Sequence, residues 1–244
     1  MASNLDIFCM VEIEISNYCN RKCWYCPNSD EKIETQKKDM NPKLYERIIG
    51  ELKEFGFSGR LSFHLYNEPL LSPYLKHFIS YTKSELPTAK QVLFTNGDYL
   101  TDECYFELLK LGIQKFIVTS HSYHLESERE NQIIIYPSQL NLTNRGGRII
   151  LENENKRNIH APCYAPTDLL VIDVEGRVLL CYEDSYKNNV MGDINRDKLK
   201  EIWCGQHYTH ARSDLRNGYR EKFTICSICN NYSHLKQEYY DFKP

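Results

Sequence analysis

Apolar positions recur along the first half of the chain in two alternating periods. Short runs rich in β-branched and aromatic residues, at 11–15, 60–66, 91–95 and 115–119, read as strands. Stretches with helical spacing lie between them. Asn41-Pro42 opens KLYERIIGELKEFG, Ser72-Pro73 opens YLKHFISYTKSEL, and Thr101 with Glu103 opens CYFELLKLG; each begins at a capping residue and two end at a glycine. Four βα-type repeats of roughly 25 to 30 residues predict a parallel sheet with crossover helices, wound as a barrel rather than as an open sheet. In either architecture functional groups gather at the C-terminal ends of the strands.

The rhythm breaks after residue 120. A strand-like run at 133–136 is followed by the polar stretch TNRGGRIILENENKRN, which carries no amphipathic helix, so the barrel is expected to be curtailed. From about residue 161 a second pattern begins: a hairpin, LLVIDVEGRVLLC, turning at Glu175-Gly176, then a helix over 198–216, then a C-x2-C knuckle. The expected fold class is therefore α/β, a partial β/α barrel over 1–160 with a small α+β domain over 161–244. No internal repeat or low-complexity tract is present.

Composition narrows the setting. The 244 residues carry 30 Lys plus Arg against 33 Asp plus Glu, a net charge of −3 that argues against a nucleic-acid partner. No run of about 18 apolar residues exists to span a membrane, and MASNLDIFCM lacks the basic start and apolar core of an export signal. A cytoplasmic protein, a monomer or weak dimer, is expected. Ten cysteines in such a compartment are anomalous, because a reducing environment disfavours a disulfide framework and a chain of this size needs none. Ten thiols point to metal.

Their spacing divides them. Cys19, Cys23 and Cys26 form a C-x3-C-x2-C just beyond the first strand, with no histidine between Cys9 and Phe63 to complete a four-ligand site. Three thiolates alone leave one coordination position open, which disfavours structural zinc. Cys163, Cys181, Cys226 and Cys229 combine the hairpin with the knuckle and could close an all-thiolate site, for which spacing alone does not separate zinc from an iron-sulfur cluster. Cys9, Cys104 and Cys204 stand alone and read as ordinary packing residues.

The stretch CNRKCWYC, following a strand and with an aromatic before its last cysteine, resembles the signature of radical S-adenosylmethionine (SAM) enzymes. That resemblance implies a [4Fe-4S] cluster on Cys19, Cys23 and Cys26, whose unique iron chelates SAM. An electron from a donor such as flavodoxin or ferredoxin then cleaves SAM to a 5′-deoxyadenosyl radical. Asn67-Glu68-Pro69 resembles the family's Gly-Gly-Glu-Pro stretch, with Tyr66-Asn67 in place of the glycines, and Thr95-Asn96-Gly97 resembles its third-strand end. Tyr25, Asn67, Glu68, Asn96 and His121 are the implied cofactor contacts. The C-x12-G-x4-C from Cys163 to Cys181 resembles the opening of a SPASM domain, and the lack of cysteines after Cys229 resembles its shortened "twitch" form. The resemblance then implies a second, fully ligated [4Fe-4S] cluster on Cys163, Cys181, Cys226 and Cys229, acting as an electron relay.

Along nearly its whole length the chain resembles family members of aminoglycoside antibiotic biosynthesis, which oxidise a secondary alcohol of an aminocyclitol to a ketone. Abstracting hydrogen from a carbinol carbon leaves a ketyl-type radical, so such a site needs a base or a cation near the oxygen and an oxidant within reach. Arg145, in TNRGG, is the candidate catalytic and substrate-contacting residue, since the glycines beside it let the backbone approach a ligand. Glu183 is the candidate for a substrate ammonium group, and Tyr66 and Tyr182 for the pocket walls. Two further readings stay open at this level: a different radical reaction, such as peptide modification or sugar epimerisation or dehydration, and a non-catalytic metalloprotein with structural zinc.

Overall fold

A computed structural model describes residues 8–30, 36–121, 129–151, 160–232 and 234. Five parallel strands, β1 (Met10–Ile13), β2 (Arg60–Ser62), β3 (Lys90–Thr95), β4 (Lys115–Thr119) and β5 (Gln132–Ile135), lie side by side in chain order. Helices α1 (Pro42–Glu54), α2 (Leu75–Glu85) and α3 (Asp102–Leu111) make the crossovers. On the other side of β1 the sheet continues through β6 (Leu169–Ile172), again parallel, and then through the antiparallel pair β7 (Arg177–Leu179) and β8 (Val190–Asp193). Short α4 (Ala165–Asp168) precedes β6; α5 (Leu199–Cys204), α6 (Gln206–Arg216) and α7 (Thr224–Ile228) complete the chain's regular structure among the described residues. The strands wind in the consecutive order of a barrel but end at β5 and β8 as edges, so the barrel is partial, as expected. The expected boundary at 160 and 161 falls between two stretches whose strands share one sheet.

Local chemistry accounts for the elements. In α1 the buried residues Tyr45, Ile48, Ile49 and Leu52 repeat on one helical face, Asn41 caps the first turn by accepting from Lys43 N at 2.9 Å, and Pro42 fits the first helical position. Thr101 caps α3 in the same way, and Gly112, at φ 142°, ends it. Val11 and Ile13 of β1 face this helical layer, packing into a core with Leu61, Leu93, Phe116 and Phe78. The opposite face of the sheet holds a smaller apolar group, Met10, Leu169, Val171 and Leu179, and then polar side chains. The sheet is thus apolar toward the helices and increasingly polar toward the barrel interior.

Three sequence expectations are corrected. The second strand was expected over 60–66 but ends at Ser62, because the Asn67 side chain folds back to accept from Leu65 N at 3.0 Å and to donate to Phe63 O at 3.2 Å, turning the chain early. The helix expected over 198–216 is two helices, since Gly205 is extended and a Cβ there would meet Glu201 O at 2.6 Å. The second helix opens at Leu75, not at Ser72-Pro73. The polar run expected to be irregular lies in part outside the described residues, at 152–159.

Ile13 is fully buried directly beneath the first cysteine loop. Ile13→Ala is expected to lower unfolding free energy by about 2–5 kcal/mol in a denaturant titration, whereas Ile150→Ser, at a position 91% exposed, should change it by less than about 0.5 kcal/mol.

Candidate active site

The loop leaving β1 is tied down at its base. Tyr18 donates its hydroxyl to both oxygens of Asp39 (2.9 and 3.0 Å), and the Tyr18 carbonyl accepts from Glu68 N at 3.0 Å, so the loops after β1 and β2 move together. Cys26 N donates to Cys23 O at 2.8 Å, closing a turn that brings the three thiols onto one loop tip. Cys19 Sγ accepts from Arg21 N (3.4 Å) and from Asn96 Nδ2 (3.7 Å), and Cys23 Sγ lies 3.6 Å from His121 Nε2. Burial raises the pKa of Cys19 and Cys26. A bound metal would reverse that, since a coordinating thiol loses its proton. Tyr25 stacks on His121, the rings 2° from parallel. A cavity of about 820 Å³ flanks this loop, lined by Cys19, Tyr66, Glu14, Arg148 and Lys187.

Glu68 is buried and its carboxylate is spoken for. It accepts from Thr95 Oγ1 (2.7 Å), Asn96 N (2.8 Å) and Leu70 N (3.1 Å), so it welds the loop after β2 to the loop after β3. Burial raises its pKa and these hydrogen bonds act the other way. Asn67, the departure from the glycine pattern, turns its side chain into its own loop and donates to Ser16 Oγ at 3.2 Å. Asn96 spans Cys19 and Asn20, and Asp98 holds Arg21 at 2.6 Å. Of the expected cofactor contacts, Asn96 and His121 lie against Cys19 and Cys23 and Tyr25 against His121, while Glu68 and Asn67 bond within and between the neighbouring loops.

The second cysteine group lines a common cavity with Arg220, Glu183, Tyr182 and Asn231. Cys181, Cys226 and Cys229 are buried and Cys163 nearly so. Burial, with Glu183 adding to it, pushes the Cys229 thiol up to about 12; burial raises Cys163, Cys181 and Cys226 as well, with repulsion from neighbouring thiolates contributing at Cys181 and Cys226. Four sulfurs around one cavity fit a multi-iron core that spans them. Cys9, Cys104 and Cys204 stand apart from both groups; Cys9 donates to Asp168 O at 3.4 Å and Cys204 is exposed.

Between the two groups stands Arg145, with a left-handed φ of 48°. The glycines after it are required: a Cβ on Gly146 (φ 65°) would meet Glu183 O at 2.8 Å, and one on Gly147 (φ 86°) would meet Ile228 at 2.5 Å. Asn144 locks the same loop to the knuckle by donating to Ile228 O at 2.7 Å and accepting from Asn230 N at 3.4 Å. Arg145 Nη1 lies 3.6 Å from Glu183 Oε1, while its Nε is buried without a hydrogen-bond partner. Burial works against its charge, but Glu183, Tyr66, Tyr182 and Cys26 outweigh that and hold the guanidinium protonated. Glu183, expected as a loop residue open to a ligand, is buried and accepts from Thr143 Oγ1 (2.9 Å) and Asn231 Nδ2 (2.8 Å). Tyr66 donates to the Tyr182 carbonyl, and Tyr182 meets His234 Nε2 at 2.9 Å, so these two walls join the halves of the molecule.

Sequence reading missed the polar floor. Arg60 pairs with Glu12 at 2.9 Å, its guanidinium 5.4 Å from the Phe94 ring, and His64 stacks on the same ring with centroids 4.2 Å apart. Burial, with Arg60 and Arg145 nearby, pushes His64 down to about 3, and its Nδ1 is buried with no partner. No sequence period marks them, because β2 is only three residues long and ends before His64.

Family models match over two stretches: the radical SAM superfamily over residues 13–146 and SPASM, an iron-sulfur cluster-binding domain, over 163–230. The chain is 39% identical, over 97% of its length and 98% of the relative's, to the S-adenosyl-L-methionine-dependent 2-deoxy-scyllo-inosamine dehydrogenase of Niallia circulans. Its fold is similar to the crystal structure of BtrN in complex with AdoMet and 2-DOIA, at a TM-score of 0.85 and 36% identity over 97% of this chain and 98% of that one. BtrN in an open conformation superposes with a TM-score of 0.79, again at 36% identity, over 97% of this chain and 99% of that one. The chain belongs to the radical SAM superfamily, among the members that carry a C-terminal SPASM iron-sulfur cluster-binding domain.

Proposed function

We propose that this protein is a radical SAM dehydrogenase that oxidises a secondary alcohol of an aminocyclitol, of the 2-deoxy-scyllo-inosamine type, to a ketone. The observation that carries the reading is Arg145, a buried cation with an unpaired Nε, fixed between the open cysteine group and the closed one. The relative's activity supports it over nearly the whole chain. In this reading residues 1–160 form the radical half, with Cys19, Cys23 and Cys26 as ligands of one [4Fe-4S] cluster, and residues 161–244 form the auxiliary half, with Cys163, Cys181, Cys226 and Cys229 holding a second. When bound, these groups and SAM supply an adenosyl radical that takes hydrogen from the carbinol carbon and an acceptor for the second electron.

The chain's own residues do the rest. A guanidinium does not deprotonate in a protein, so Arg145 acts as a stabiliser and not as a base: it donates to the substrate oxygen as negative charge builds there. Glu183 anchors Arg145 and balances its charge, and is the group that meets a substrate ammonium. Tyr66 and Tyr182, each fixed by hydrogen bonds, wall the pocket. Glu68, Asn67 and Asn96 shape the backbone that receives SAM, and Tyr25 and His121 close the side beside Cys23. A flavodoxin or ferredoxin is the proposed donor of the initiating electron, and the cytoplasm, where thiols stay reduced, the proposed site of action. No helix among the described residues is long and apolar enough to cross a membrane.

Anaerobic reconstitution should give about eight irons per chain, against about four with one zinc if the second site is structural. With 2-deoxy-scyllo-inosamine, SAM and a reductant, one ketone should form for each 5′-deoxyadenosine; deoxyadenosine without ketone would reject that substrate. Arg145→Met should lower ketone formation about a hundredfold while SAM cleavage persists, the loss typical of one preorganised donor. Glu68→Gln sets an amide N–H2 against donors that now face a carboxylate. It is expected to weaken SAM binding about tenfold in equilibrium dialysis, with iron content unchanged.

A further inference from the structure

Arg220, in a single 3-10 turn, is 1% exposed and lines the cavity of the second cysteine group. Its Nε donates to Ala161 O at 2.7 Å, Nη2 to Pro162 O and Asn231 O at 3.3 Å each, and Nη1 to Asn231 O at 3.4 Å; the Tyr232 ring lies 5.1 Å away. All of these are neutral dipoles. Among the described residues no carboxylate pairs with it. Glu183, the anion in the same cavity wall, is already held by Thr143, Asn231 and Arg145.

A guanidinium keeps its charge in a protein, and a buried charge without an opposite one is strongly disfavoured. Three carbonyls orient Arg220 without neutralising it. The anions left in the cavity are the thiolates of Cys163, Cys181, Cys226 and Cys229 and whatever core they carry. An iron-sulfur core on four thiolates has a net negative charge, which grows by one on reduction, and net charge is among the determinants of cluster potential.

We propose that Arg220 is the built-in counter-ion of the auxiliary cluster and raises its reduction potential, so that the closed site accepts the electron lost by the substrate radical. The inference rests on the reading of Cys163, Cys181, Cys226 and Cys229 as ligands of an iron-sulfur cluster. In the transfer the hydroxyl proton of the substrate radical passes to water, the resulting ketyl loses one electron to become the ketone, the cluster gains that electron, and Arg220 is unchanged. It is a positioning charge, not a catalytic residue.

The full chain carrying Cys19→Ala, Cys23→Ala and Cys26→Ala isolates the auxiliary site. About four irons in this parent are expected; their absence would defeat the cluster reading and leave the arginine's role without an object. In a redox titration followed by electron paramagnetic resonance, Arg220→Met and Arg220→Gln should each shift reduction at least tenfold toward the oxidised form, about 59 mV downward for a one-electron couple. Arg220→Lys, which keeps the charge, should retain most of the parent's potential. A potential unmoved in Met and Gln variants that hold four irons overturns the proposal. Should those two lose iron while the Lys variant keeps it, charge is what the site needs and the proposal stands; loss of iron from all three makes Arg220 a matter of shape and overturns it.

Discussion

The parallel pairing of β1 with β6 is the constraint on which the rest of the site depends. Met10 to Ile13 runs beside Leu169 to Ile172 in register, so the loop bearing Cys19, Cys23 and Cys26 leaves at one end of this pair, while Cys163 approaches and Cys181 returns at the other. Four residues of strand, at about 3.3 Å each, separate the two ends by roughly 13 Å. That spacing keeps the two thiol groups from collapsing into one site. The apolar faces of both strands bury against the helices and hold the pair in place.

Within the barrel interior, charge is arranged as carefully as shape. Arg145 and Glu183 are paired across the gap, Arg60 and Glu12 below them, and Arg220 beside the second thiol group faces only carbonyl dipoles among the described residues. Each cation sits where burial would oppose it, so each needs a negative partner nearby. Two such partners are carboxylates. For Arg220 the proposed partner is the set of thiolates of the second cysteine group.

Backbone geometry supplies the precision. The TNRGG loop places three consecutive residues at positive φ, and at Gly146 a side chain would also meet the Glu183 carbonyl. Asn144 then fastens the loop to the knuckle residues around Ile228. As a result Arg145, which lies in the radical half of the chain, is positioned by residues of the cluster-bearing half, and neither half builds the site alone.

Much of this was legible in the sequence. Cysteine spacing is a local property, and the three-and-four grouping followed from it; strand and helix periods likewise depend on which residues share a face, and the order of β1 to β4 with α1 to α3 was read from them. Glu183 and Glu68 were named as ligand contacts from their local sequence; that each also accepts from protein donors was not legible there, because the partners Thr143, Asn231, Thr95 and Asn96 lie far away in sequence. Glu12, Arg60 and His64 gave no signal, since a charged residue in a short strand reads as solvent-facing until the sheet is known to curl around it. The residue types and their local spacing determined which chemistry the chain can perform. Only the tertiary structure decided which charges are buried, because desolvation depends on what the rest of the chain brings within a few ångströms.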